Sequence, residues 1–228
     1  MFQNKNLPIL AGWAYLVIFV TGIFANFVVV EGLVVPGDAA ATISNLTESN
    51  FMFRVGVLSF VIMVIADVVV AWALYLLFKN TDENLSLFAG WFRLVNAAIF
   101  GVALYHLVSV MNIIGGGLPI EKGSDILNAL VMAGLGDFNI TWLVGLVFFG
   151  VHLFALAGLI LKSGIVPKFI GYLLLVAGVG YLVDSTAYFL MSDYLEYKEI
   201  LSMIVIIPGV VGELSLTIWL IAKGKKLV

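Results

Sequence analysis

Apolar residues fill the chain in six runs, each long enough to cross a hydrocarbon core of about 30 Å, which takes about 20 helical residues. They lie at about 9–35, 52–78, 87–112, 138–161, 166–191 and 199–222. Polar or Pro/Gly breaks separate them: Pro36-Gly37-Asp38, residues 79–84, Gly115-Gly116-Gly117-Leu118-Pro119, Lys162-Ser163-Gly164 and Ser192-Asp193. Each break supplies the turn chemistry a chain needs on leaving a membrane. The stretch 124–135 is apolar but too short to cross, with Asp125 near its start, and reads as an interfacial or re-entrant helix leading into the fourth span, a separate seventh span being the weaker alternative. The first run is longer than the 7–15 residues of a signal-peptide core, so it reads as a retained helix despite the cleavable Ala39-Ala40-Ala41 beyond it. The pattern therefore predicts an all-α integral membrane protein, a single domain over 1–228 built as a six-transmembrane-helix bundle.

Three odd-numbered runs open alike: Leu10-Ala11-Gly12-Trp13, Phe88-Ala89-Gly90-Trp91 and Phe169-Ile170-Gly171-Tyr172. This suggests three tandem two-helix hairpins arranged about an axis along the membrane normal. An aromatic beside a small residue is also common at interfaces, so these few positions leave a chance recurrence open.

Composition agrees with the pattern. Of 228 residues, 63% are hydrophobic and 11% charged, with a mean hydropathy of +1.15; soluble domains are about 25% charged. Without cysteine, disulfides, thiolate nucleophiles and cysteine metal sites are excluded. The net charge of −3 and the lack of a long basic run exclude nucleic acid as a partner.

Sorting the charges by loop gives an orientation. With the N-terminus inside, Lys5, Lys79, Lys162, Lys168, Lys223, Lys225 and Lys226 are cytoplasmic, against Lys122, Lys198 and the marginal Arg54 outside. Asp38, Glu48, Glu121, Asp125, Asp137, Asp193, Glu196 and Glu199 fall on the outer side. Trp13, Trp91 and Trp219 then belong to an inner aromatic belt and Trp142 to an outer one. The expectation is a multi-pass protein of a prokaryotic cytoplasmic (inner) membrane with both termini in the cytoplasm.

Ionisable groups within hydrocarbon are costly and face the bundle interior with partners. At 1.5 Å per residue, Asp67, Arg93, Asn96, His152 and Glu213 form a deep layer, and Glu31, Arg54, His106 and Asp184 an outer one. Glu213 is the sharpest candidate for ligand binding or proton coupling. It follows Pro208-Gly209 and Gly212, and a helix broken beside a mid-depth carboxylate is a feature of transporter sites. The plain alternative is a kink that shapes packing, with Glu213 neutralised by Arg93. Asp67 has no cation on its own helix and needs Arg93 or His152; Arg54 is expected to pair with Glu31 or Asp184. Such pairs fix helix register as readily as they support chemistry. Ser185 and Thr186 beside Asp184 read as interhelical contacts.

Cofactor chemistry finds little support. The two histidines are offset by about 10 Å along the normal, which disfavours a shared haem. No lysine lies within the last span, so a retinal Schiff base is not supported. No ligand spacing announces a metal site from His152, Asp67 and Glu213. HExxH, HxxxH, GxSxG, P-loop and paired GxGD motifs are absent.

Several segments resemble a bacterial membrane family known as domain of unknown function 4386. They are Val35-Pro36-Gly37-Asp38-Ala39-Ala40, Phe92-Arg93-Leu94, and Gly145-Leu146-Val147-Phe148-Phe149-Gly150-Val151-His152. Ser163-Gly164-Ile165-Val166-Pro167-Lys168 with Gly171, Gly178-Val179-Gly180-Tyr181-Leu182, and Gly212-Glu213-Leu214 with Trp219-Leu220 continue the likeness. It spans nearly the whole chain and implies a prokaryotic source and a six-span bundle. It implies no activity. It overlaps Arg93, His152 and Glu213 and gives less weight to His106 and Asp184.

Three functions remain in order of preference. The first is binding or carrying a small or amphipathic molecule, a lipid included, coupled to protons through Glu213 and Asp67 and aided by homo-oligomer formation. The second is a structural or accessory membrane subunit. The third is an enzyme acting on lipid or quinone with Arg93, His152 and a carboxylate; the balance leans against catalysis.

Overall fold

A computed structural model describes residues 6–121 and 123–224. Lys5, Lys122, Lys225 and Lys226, counted in the charge bias, lie outside the described residues. Helices α1 (Leu7–Ile23) and α2 (Glu31–Leu33) are joined by a π-helical stretch, Phe24–Val30. There follow α3 (Ala39–Glu48), α4 (Asn50–Phe78), α5 (Glu83–Ile114), α6 (Asp125–Ser163), α7 (Lys168–Leu190) and α8 (Tyr194–Lys223). No strand occurs among the described residues. Among the described residues six helical stretches are long and apolar enough to cross a membrane: Leu7–Leu33, Asn50–Phe78, Glu83–Ile114, Asp125–Ser163, Lys168–Leu190 and Glu196–Lys223. Large apolar side chains cover the outside as well as the core, and several polar ones lie within. Phe51 and Leu190 are about 80% exposed, whereas Arg93 and Asn96 are fully buried, as expected where lipid is the outer solvent.

Four local features depart from the pattern reading. Residues 124–135 are not a separate helix but the opening turns of the unbroken 39-residue α6, since nothing there breaks the backbone ladder. The sixth span, read as broken at Pro208, is helical from Tyr194 to Lys223. Helix α3 went unforeseen because it lies in a polar break. Asp38 caps it by accepting from the Ala41 N–H at 2.9 Å, and Thr42 Oγ1 ties it back to Val35. The π-helical stretch hides in a continuous apolar run. There Asn26 Nδ2 donates to Glu31 Oε1 at 2.9 Å, five residues on, which is the π-helical spacing.

By packing the chain divides into two units: residues up to Leu16, Ala66–Ala97 and from Leu143 onward; and Val17–Ile65 with Ala98–Trp142. The second has an aromatic core in which Phe100 stacks on Trp142 at 3.7 Å, with Phe60 and Phe138 tilted against it. Gly56 in that unit admits Val29, whose side chain would lie within 3 Å of an added Cβ.

The first unit obeys one packing rule three times. The glycine near the start of each outgoing helix faces a returning helix: Gly12 meets Ile221 of α8, Gly90 meets Ala71 and Tyr75 of α4, and Gly171 meets Ile160 and Leu161 of α6. The residue after each glycine (Trp13, Trp91, Tyr172) is exposed, and the third residue after it (Tyr15, Arg93, Leu174) is buried. On the returning helices, Asp67, His152 and Glu213 each lie eight residues before the residue met by a glycine: Tyr75, Ile160 and Ile221. The starts of α1, α5 and α7 thus meet α8, α4 and α6 in one register, with small residues allowing close approach.

Candidate functional site

Asp67 and Arg93 lie on either side of the short turn between α4 and α5, each about 15 Å from it along its helix. An antiparallel hairpin sets them side by side: Arg93 Nη2 donates to Asp67 Oδ1 at 2.5 Å, with both side chains buried. The other terminal nitrogen of the guanidinium is held by other helices. Nη1 donates to Tyr15 Oη at 3.1 Å and to His152 Nε2 at 3.1 Å. The cation also lies over the Tyr15 ring at 4.8 Å and the Phe149 ring at 5.3 Å.

His152 is fixed at both ends. The Ala89 carbonyl can only accept, so Nδ1, 2.9 Å away, bears the hydrogen and Nε2 is left as the acceptor for Arg93. Neither ring nitrogen is free for proton transfer to a substrate in this arrangement.

Glu213 lies within Coulombic reach of Arg93 and Asp67 but is bound differently. Its side chain accepts one hydrogen bond, from Tyr181 Oη at 3.4 Å. Tyr181 in turn meets Phe149 edge-on at 5.2 Å, linking it to the ring over Arg93. The phenol has room because Gly209 lies one turn before Glu213; a Cβ there would sit 3.0 Å from Tyr181 Oη. Pro208 cannot donate to the Ile204 carbonyl, and Gly180 of α7 approaches that oxygen so closely that an added Cβ would stand 2.7 Å from it. The proline thus shapes the α7–α8 contact that carries Tyr181 to Glu213.

Asn96 lies one turn beyond Arg93 on the same face of α5. It is fully buried, and neither its Oδ1 nor its Nδ2 has a hydrogen-bond partner among the described residues; Arg93 Nε has none either.

Of the deep layer, Asp67, Arg93 and His152 are in direct contact, and Glu213 joins through Tyr181 and Phe149. Arg93 pairs with Asp67 rather than Glu213. Tyr15, Phe149 and Tyr181 were missed by sequence reasoning because aromatic residues are plentiful throughout the spans. The outer candidates take partners of their own. Glu31 accepts from Asn26, Arg54 Nε donates to Asn50 Oδ1 at 2.6 Å, and His106 lies 3.9 Å from Asp137. Asp184 accepts from Tyr194 at 2.9 Å, and burial together with this carboxylate pushes the Tyr194 phenol up. The expected pairing of Arg54 with Glu31 or Asp184 is not formed, since Asn50 one turn away reaches the guanidinium without another helix. Among the described residues no group of three His, Asp or Glu is placed to hold a metal ion.

At the start of α5, Asp82 Oδ1 accepts from the Leu85 N–H at 3.0 Å and Oδ2 from Lys162 at 2.9 Å. These donors hold its carboxyl below the usual range.

A model for a domain of unknown function, DUF4386, matches residues 10–224. A protein of Archaeoglobus fulgidus, described as uncharacterized, is 32% identical over 166 residues, covering 73% of this chain and 82% of its own. No solved structure matches.

Proposed function

Because the chain belongs to the DUF4386 family, a domain family of unknown function, we propose a role from geometry: the layer around Arg93 and Glu213 binds a small or amphipathic molecule and couples it to a proton. The observation that carries this reading is the unequal treatment of two buried carboxylates. The Arg93 guanidinium is spent on Asp67. Among the described residues Glu213, 7% exposed, has only a 3.4 Å hydrogen bond from a phenol on its carboxylate. An unpaired buried charge costs several kcal/mol, so Glu213 needs a proton or an incoming positive group, as an exchangeable site does.

Native mass spectrometry of the chain in mild detergent, wild type beside Glu213→Gln, tests this. The wild type is expected to retain a small molecule that folded Glu213→Gln holds at least about tenfold more weakly, a loss of about 1.4 kcal/mol. If Glu213→Gln and Asp67→Asn both leave binding and transport unchanged, the reading fails.

The accessory-subunit reading draws on the Arg93 cluster, whose partners on three helices suit it to fixing register. The enzyme reading is weakened by the engagement of both His152 nitrogens. The Lys/Arg bias supports, as part of the same proposal, an inner-membrane location with both termini cytoplasmic.

A further inference from the structure

The unpartnered polar atoms on α5 say more about the guest. Leaving a buried amide without hydrogen bonds is unfavourable, and Asn96 is fully buried with both ends of its amide unmatched among the described residues. One turn earlier, Arg93 Nε is in the same condition, although the other guanidinium nitrogens are engaged. Packing does not demand an amide at this position. In the shared register, the sixth residue after each repeat glycine is Ile18, Asn96 or Ala177, so the other two helices use apolar side chains there.

We infer that the Asn96 amide and Arg93 Nε together seat one uncharged oxygen group, a hydroxyl or carbonyl. The inference rests on reading this layer as a binding site. Charge selects a neutral guest: Arg93 is already matched by Asp67 at 2.5 Å, and with Glu213 holding its proton the layer has no net charge for an ion to meet. Hydrogen-bond type selects an oxygen. Nε–H requires an acceptor, whereas the amide offers both a donor and an acceptor. The same chemistry is available from the head of an otherwise apolar, bilayer-soluble molecule and from bound water.

A crystal or cryo-EM map of the full chain purified from its own membranes, at a resolution that shows ordered water, decides this. Density is expected within hydrogen-bond distance of the Asn96 amide and Arg93 Nε, about one guest per chain, and lost in Asn96→Val. Density continuing into an apolar tail identifies an amphiphile, whereas an isolated peak identifies water; either upholds the seat. A well-resolved Asn96 with no density beside it, or with its amide bonded to protein, overturns the inference, and the wild-type map suffices if Asn96→Val does not fold. An empty seat alongside Glu213-dependent ligand binding fails this inference alone. An occupied seat with binding indifferent to Glu213→Gln and Asp67→Asn fails only the proposed function.

Discussion

Arg93 illustrates what one residue does in a low-dielectric interior. Its carboxylate, phenol and imidazole partners come from three different helices, so removing one partner strands the others. Asp67→Leu and Arg93→Leu are each expected to destabilise the protein by about 3–5 kcal/mol, because a buried charge loses its mate. Leucine already occupies the equivalent position at Leu174. The double variant should therefore lose clearly less than the sum, with a coupling of about 1–3 kcal/mol; thermal unfolding of the four proteins in detergent measures it. Additive losses would mean that the pair is not coupled. The residues themselves were legible, since ionisable groups stand out in apolar runs. Which acid takes the guanidinium was not, because that depends on helix rotation. Tyr15 and Tyr181 were invisible for a different reason: nothing separates a tyrosine that donates to a carboxylate from one that only packs.

Elements show how a sequence signal can be right about position and wrong about form. Pro208 marks a special place in α8, yet the helix runs through it and the consequence appears on α7. Gly180→Ala would drive a methyl group against the Ile204 carbonyl, and backbone gives way poorly. A loss of about 1–3 kcal/mol is expected. Gly101→Ala, where nothing lies within 4 Å of the new Cβ, should be neutral or slightly stabilising, since alanine favours helix by about 1 kcal/mol. Melting both variants beside the wild type checks the contrast, and equal behaviour would remove the special role of Gly180. Helix α3 was readable in principle from Asp38 as a cap three residues before Ala41, but hydropathy outweighed it. The run 124–135 is too short to cross by itself and carries Asp125 near its start, and helix continuity into the fourth span leaves no mark in composition.

For the whole molecule, hydropathy made the six spans legible, because the cost of unsatisfied backbone in lipid leaves helices as the solution for such runs. A likeness among three helix openings was faintly written in the sequence. The common register of Asp67, His152 and Glu213 needed the packing partners of Gly12, Gly90 and Gly171. Orientation is open to direct measurement because the chain has no cysteine. Lys168→Cys is expected to resist a membrane-impermeant maleimide in intact cells and to react after lysis. Glu121→Cys should react in both, and the reverse pattern would invert the proposed topology.

The Asp67–Arg93 pair also bears on how the chain is made. Each charge, presented singly at the centre of an inserting helix, costs about 2.5–3.5 kcal/mol on insertion scales. The short turn between Phe78 and Glu83 lets α4 and α5 meet while both are still leaving the insertion machinery. Biosynthesis therefore favours entry of these two helices as a preassembled unit, with the ion pair closed before lipid surrounds it.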